Sequence, residues 1–414
     1  MTCNPVAHVH RLSSSVLESL LAAAIIFSLV AGASAQSAKS PAKKKGPGAD
    51  SPPTQEELLA FAKRYEEAAN IGAGELNALF DWDAFIEKAG RDTGLDKNDL
   101  KDVKKGFKPA QSVVKEICES ARKDGSYRFL HILRKGNTDY LLFRLLSDGG
   151  FNYHLLMLGR DKTGELKVAD IGFYTLGELF SQTMHRAILE VLATMPGAGA
   201  ARAKKKNPEA LDFGKLAEMV SAKNKENYQE ALNIYQKLPE KLQHDKHVLV
   251  LRCQIAQKVN DTEYVAAMEA FRKEFPRDPA LLILSIDYLF LKMRYPEAHQ
   301  VVTELSKVVE GDPYLDFLQA NIFSLEEKWD EARDSAQRAL KAEPNLLPAV
   351  QTAVAISLAQ HDYTATRTLL NRLEKDLGQK VTDLKGDDKY AGFVASPEYA
   401  AWMAGRGKSA AGAK

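Results

Sequence analysis

Cysteine is scarce in this 414-residue chain, with three in all, too few for the disulfide framework of a small secreted domain. Cys3 precedes an apolar leader, which leaves Cys118 and Cys253, both within helical periodicity. Two buried thiols are expected, with a bridge between them as the alternative in an oxidising compartment. No Cys-x-x-Cys pair exists, so no zinc or redox motif is present. Neither charge sign dominates: 56 Lys+Arg against 55 Asp+Glu give a net charge of +1. No global field therefore favours nucleic acid. The nine histidines show no ligand spacing, and His-Glu-x-x-His and Gly-x-Ser-x-Gly are absent. Gly407-Lys408-Ser409 mimics the end of a phosphate loop, but Trp402 occupies the position of its first glycine. Asp92, Asp96 and Asp99 lack the central Gly and closing Glu of a calcium loop, and helix capping explains them better. No catalytic residue, metal or cofactor is expected. Long hydrophobic runs are missing too.

The longest such run, Leu20 to Ala31, follows Arg11 and ends at Ala33-Ser34-Ala35 before Gln36. Twelve residues fall short of the roughly 20 that span a bilayer, and the small-x-small triplet fits a signal-peptide cleavage site. Residues 1–35 are read as a signal peptide, with retention as an anchor the alternative. An exported protein is expected, periplasmic or secreted, without a stable membrane span after cleavage. Residues 36–53, rich in Lys, Pro, Ser and Gly, cannot bury apolar surface and read as a linker.

An α+β domain is expected over 54–194. Thr54-Gln55-Glu56-Glu57 is a capping box, followed by helical spacing at Leu58, Phe61, Ala62, Tyr65 and Ala69. Further helices are expected around Asp81–Phe85, Asp99–Phe107 and Val113–Ala121. The period then switches to alternation over Tyr127–Arg134, Thr138–Leu146, Phe151–Gly159 and Leu166–Tyr174. Gly136-Asn137, Asp148-Gly149-Gly150 and Asp161–Gly164 are hairpin signals, so a four-stranded antiparallel meander follows. Thr175–Glu178 reads as a second capping box opening a helix. Helices followed by a twisted meander resemble, in element order alone, the nuclear-transport-factor-like cone fold. No strand among the first helices is evident.

Residues 195–209 form a second linker. Beyond it an aromatic, two residues and a small residue recur: Tyr228…Ala231, Tyr264…Ala267, Tyr295…Ala298, Trp329…Ala332 and Tyr363…Thr366. The last members are spaced by 36, 31, 34 and 34 residues. A period near 34 with helical composition signals stacked helix–turn–helix units that share one core. Residues 210–377 resemble the tetratricopeptide repeat family, in four to five units. Residues 378–404, with Tyr399 and Trp402, are read as a cap on the last unit, and 405–414 as a disordered tail. The small position on the first helix departs from the family pattern at Met219, Ile255, Ile286 and Val354. The resemblance implies a concave groove lined by Arg252, Ile283, Asp287, Tyr314, Phe317, Asn321 and Gln351. It also implies a scaffold that binds a peptide or partner protein there without catalysis.

One constellation remains in the meander. If Leu142 faces His131, Leu146 faces Phe151 and Arg160 faces Glu165, then His131, Arg144, Tyr153, Asp170 and Tyr174 share one face with Phe129 and Phe151. Arg144 and Asp170 then lie two strands apart, about 9.6 Å. The set reads either as a buried ion pair orienting the sheet, which is preferred, or as a small-ligand or isomerase-like pocket. Asn152 and His154 sit on the opposite face. That face is apolar as well, so the repeats or a second copy of the chain should cover it.

Overall fold

The computed structural model describes residues 52–96, 99–101, 113–122, 125–147, 150–194, 201, 204–206, 212–381 and 384–411. The expected signal peptide, most of the first linker and most of the second lie outside these residues. The described chain divides into two compact units, one ending at Leu284 and the other beginning at Ser285.

In the first unit, α1 (Gln55–Ile71) opens on the expected capping box: Thr54 accepts from the Glu57 amide, and Glu57 accepts from the Thr54 amide. Two short helices follow, α2 (Ala73–Asn77) and α3 (Trp82–Ala89), then α4 (Val113–Arg122). The strands are β1 (Ser126–Lys135), β2 (Thr138–Ser147), β3 (Gly150–Arg160), β4 (Leu166–Phe173) and β5 (Glu178–Leu179), paired antiparallel in chain order. Helix α5 (Phe180–Thr194) closes this part. One continuous core joins Phe61, Tyr65, Phe85, Ile117, Met184 and Ile188 of the helices to Phe143, Leu156, Ile171 and Phe173 of the sheet.

Three details depart from expectation. The sheet has a fifth, two-residue strand where a helix cap is expected. Gly177, at φ +68°, turns the chain back so that Glu178 pairs with Phe173 instead of reaching Thr175. Phe80, among the first helices, makes a parallel bridge to Val168 on the outer edge of β4. The register slips at two bulges. Leu130 is extra in β1, and Ala169 is extra in β4, between the pairs Leu158–Val168 and Met157–Asp170.

Paired antiparallel helices follow. They are α6 (Phe213–Asn224) with α7 (Tyr228–Tyr235), the short α8 (Glu240–Gln243), α9 (Lys246–Val259) with α10 (Asp261–Glu274), and α11 (Pro279–Leu291) with α12 (Tyr295–Val308). Then come α13 (Pro313–Leu325) with α14 (Trp329–Ala342) and α15 (Leu347–Ala359) with α16 (Tyr363–Lys375). In the second unit, α17 (Ala391–Val394) and α18 (Pro397–Ala411) close the run. Phe393, Tyr399 and Trp402 pack with Val350, Val354 and Leu370, covering the last pair. Helix α18 continues to Ala411, past Gly405, where a disordered tail is expected.

Four of the pairs share one turn. Glu226, Met293, Glu327 and His361 each adopt φ between 54° and 60°, two residues before the aromatic that opens the second helix. The next amide reaches back to the first helix: Asn227 to the Ala222 carbonyl, Arg294 to Leu289, Lys328 to Phe323 and Asp362 to Ser357, each at 2.9 Å. This is a Schellman closure built on a non-glycine left-handed residue. The α9–α10 pair departs. Its turn is the extended Asn260, whose side chain caps α10 at Glu263, and Tyr264 is the fourth helical residue rather than the first. That difference underlies the irregular spacings of 36 and 31.

Candidate functional site

The two supposed inner hairpin pairings occur: His131 faces Leu142, and Leu146 faces Phe151. The third does not, because Arg160 pairs with Leu166. With the bulge at Ala169, Asp170 moves opposite Met157, whereas Arg144 lies opposite Tyr153. Four residues separate these positions along β3, about 13 Å by strand rise, too far for the supposed pair. The Asp170 carboxylate is instead bound from the helical side. It accepts from Lys88 Nζ of α3 at 2.5 Å, Ser181 Oγ of α5 at 2.6 Å, the Ser181 amide at 3.2 Å and its own Ile171 amide at 3.0 Å. The bulge at Leu130 likewise puts Phe129 opposite Phe143, on the core side. The freed Phe129 amide donates to Glu66 of α1 at 3.0 Å.

What stays together is Arg144, Tyr153 and Tyr174. Tyr153 meets Tyr174 and Phe151 edge-on, each with centroids 5.7 Å apart. The Tyr174 hydroxyl accepts from Lys135 Nζ at 3.2 Å. Arg144 and Tyr153 are wholly buried, and Tyr174 nearly so. His131 sits in the next row, opposite Leu142, with a buried Nε2 that has no hydrogen-bond partner. Among the described residues, this row brings together aromatic rings and the Arg144 guanidinium, while Asp170 is held by Lys88 and Ser181. Both faces of β2 and β3 are buried, from Leu141 to Leu145 and from Phe151 to Leu156.

The opposite face carries a polar chain inside the core. Tyr127 Oη lies 3.1 Å from His154 Nδ1, Asn152 Nδ2 lies 3.4 Å from His154 Nε2, and Asn152 Oδ1 accepts from the Thr175 amide at 3.1 Å. Burial holds His154 neutral, its pKa pushed down to about 3. Two polar residues at i and i+2 in an apolar strand signal such a chain.

The groove positions are mostly covered. Ile283, Tyr314, Phe317 and Asn321 are buried. Tyr314 packs on Phe317 with centroids 5.0 Å apart, and Asn321 accepts from Thr352 at 2.9 Å. Arg252 lies over the Tyr235 ring at 4.7 Å and, like Gln351, keeps partial exposure. The side chain of Asp287 lies outside the described residues.

A further cluster has no counterpart in the sequence reading. Glu178 of β5, turned inward by the Gly177 reversal, accepts from Thr183 Oγ1 at 2.7 Å and contacts the Arg186 guanidinium. His247 Nδ1 of α9 lies 3.3 Å from Glu178 Oε1. Arg186 also reaches Asp245, 3.3 Å away, whose carboxylate caps α9 at the His247 and Val248 amides. This seam joins the α+β part to the first helical pairs.

No protein-family model matches the chain, and no curated protein matches it. Among the described residues no helix is long and apolar enough to cross a membrane. What is established is an N-terminal α+β region with a five-stranded antiparallel sheet, followed by a helical-repeat run.

Proposed function

We propose that this protein is an exported scaffold, periplasmic or secreted, that binds a peptide or partner protein along its helical pairs and performs no catalysis. The observation that carries the reading is the turn shared by four pairs, each placing its aromatic at the start of the second helix. Helical pairs closed by the same turn resemble tetratricopeptide repeats, and repeats of that family, when stacked, present extended binding surfaces. The α+β region resembles, in element order, the nuclear-transport-factor-like cone. A pocket enzyme on its sheet is less well supported, because Asp170 is engaged by Lys88 and Ser181. Since Tyr314, Phe317 and Asn321 are buried, the partly exposed groove positions left to a partner are Arg252 in the first unit and, separately, Gln351 in the second.

Photo-crosslinking in the native envelope tests this. A benzoylphenylalanine at 252 or 351 should give a discrete adduct, whereas one at the exposed helix position 337 should not. Equal labelling at all three, or labelling at 337 alone, would overturn the groove reading. Sequencing of the same material should begin at Gln36, and a chain still beginning at Met1 would overturn export with cleavage.

A further inference from the structure

Asn152 and His154 of β3 and Tyr127 of β1 lie inside the core, each 3% exposed or less. Their hydrogen bonds run in one direction only. The Thr175 amide can only donate, and it donates to Asn152 Oδ1 at 3.1 Å. That bond orients the carboxamide, so the group 3.4 Å from His154 Nε2 is the Asn152 Nδ2 donor. Turning the carboxamide over would set Nδ2 against the Thr175 amide and leave two buried donors unpaired. Nε2 therefore offers a lone pair. A neutral imidazole with a bare Nε2 carries its proton on Nδ1, and Nδ1 lies 3.1 Å from Tyr127 Oη, which can accept.

The rest of the surroundings agree. The His154 ring meets Phe173 of β4 edge-on, with centroids 4.7 Å apart, and stands opposite Phe143 of β2. No carboxylate contacts the ring among the described residues, so nothing there would hold a second proton, and burial keeps the ring neutral. The proton of Tyr127 is left for another acceptor. The Tyr65 hydroxyl of α1, buried and without a close hydrogen-bond partner of its own, interacts with Tyr127.

We propose that Asn152 holds His154 as its Nδ1–H tautomer, and that the same carboxamide holds the reversal at Gly177 in place. Its oxygen anchors the Thr175 amide, two residues before Gly177. The turn that follows carries Glu178 to Arg186 and His247 in the seam. Proton order in the core and the approach of β5 to the helical pairs are thus tied to one side chain.

Two-bond proton–nitrogen spectra of the full chain, labelled with 15N-histidine at neutral pH, read the tautomer directly. His154, assigned through its contacts with the Tyr127 and Phe173 rings, should show a protonated Nδ1 and a bare Nε2. A proton on Nε2 would overturn the proposal. Amide exchange tests the second half. Relative to neighbouring β4 amides, which divides out any global loss of stability, the Thr175 amide should exchange up to about tenfold faster in Asn152→Leu. In Tyr127→Phe, which removes only the far end of the chain, that ratio should not change. An unchanged Thr175 ratio in Asn152→Leu, or an equal rise in both variants, would overturn the anchoring role. Should Asn152→Leu fail to fold, the wild-type tautomer decides, because a bare Nε2 requires the carboxamide orientation that only the Thr175 bond imposes.

Discussion

Asp170 is a buried carboxylate whose partners come from helices α3 and α5, and its energetics should follow them. Lys88→Met strands it and should cost about 3 kcal/mol, at the low end for a broken buried pair because Lys88 is one-third exposed. In double-mutant cycles Lys88 and Asp170 should couple by about 1–3 kcal/mol, whereas Arg144 and Asp170 should be additive within about 0.5 kcal/mol. Denaturant midpoints of the variants measure both, and coupling to Arg144 would mean that the bulge at Ala169 is misplaced. His154 gives a pH prediction. Its folded pKa of about 3 lies below the ordinary 6.5 because of burial, so its contribution to stability is lost as pH falls from 6.5 towards 3. Its ring signals should stay constant in the native state down to about pH 4 while the unfolding midpoint drops, and a native titration near 6.5 would contradict this. At this scale the alternation of β2 and β3 was legible in the sequence, which is why Arg144, Tyr153 and Tyr174 do share a row. Asp170 and Phe129 were not, because one extra residue in a strand turns every following side chain and no residue type announces it.

The helical pairs were more legible, since an aromatic–small motif with a period near 34 needs no register assignment. The motif could not show that the turn rests on left-handed non-glycine residues, nor that Asn260 replaces that turn in the α9–α10 pair. Such residues store removable strain. Glu327→Gly should therefore stabilise the chain by up to about 1 kcal/mol, read as a higher melting temperature. The same change at Gln337, inside α14, should cost about 1 kcal/mol. Both shifts downward would mean that the turn geometry is wrong. The small positions make an opposite demand. Ala332 is fully buried against Ala320, Ala336 and Ile356, so Ala332→Trp overpacks the contact between helices. It should destabilise by about 1–3 kcal/mol or more, and an unchanged melt would show that α13 and α14 do not meet there.

At the scale of the whole chain, a linker-like stretch around 195–209 suggests two separable domains, and the seam argues otherwise. Helix α5 packs on α6, Arg186 reaches the cap of α9, and Glu178 meets His247. The β4–β5 turn leans on α9 and on the start of α11: a side-chain carbon at Gly177 would lie 3.3 Å from Lys246 and 3.4 Å from Ala280. None of this could be read from the sequence, because Glu178 enters the seam only through the reversal at Gly177 and faces a helix far along the chain. A fragment beginning at Asp212 would lose the α5 face that covers α6, and with it the partners of Asp245 and His247. A first helical unit without a neighbour exposes the apolar face that stacking buries. The fragment should therefore show less helix per residue by circular dichroism than its share of the full chain requires. It should also self-associate in sedimentation at concentrations where the full chain does not. Its melt should be broader, because the first two pairs lose cooperativity before the capped end does. A fragment that is monomeric, fully helical and as sharply melting as the full chain would show that the seam is a contact between independent domains rather than part of one folding unit.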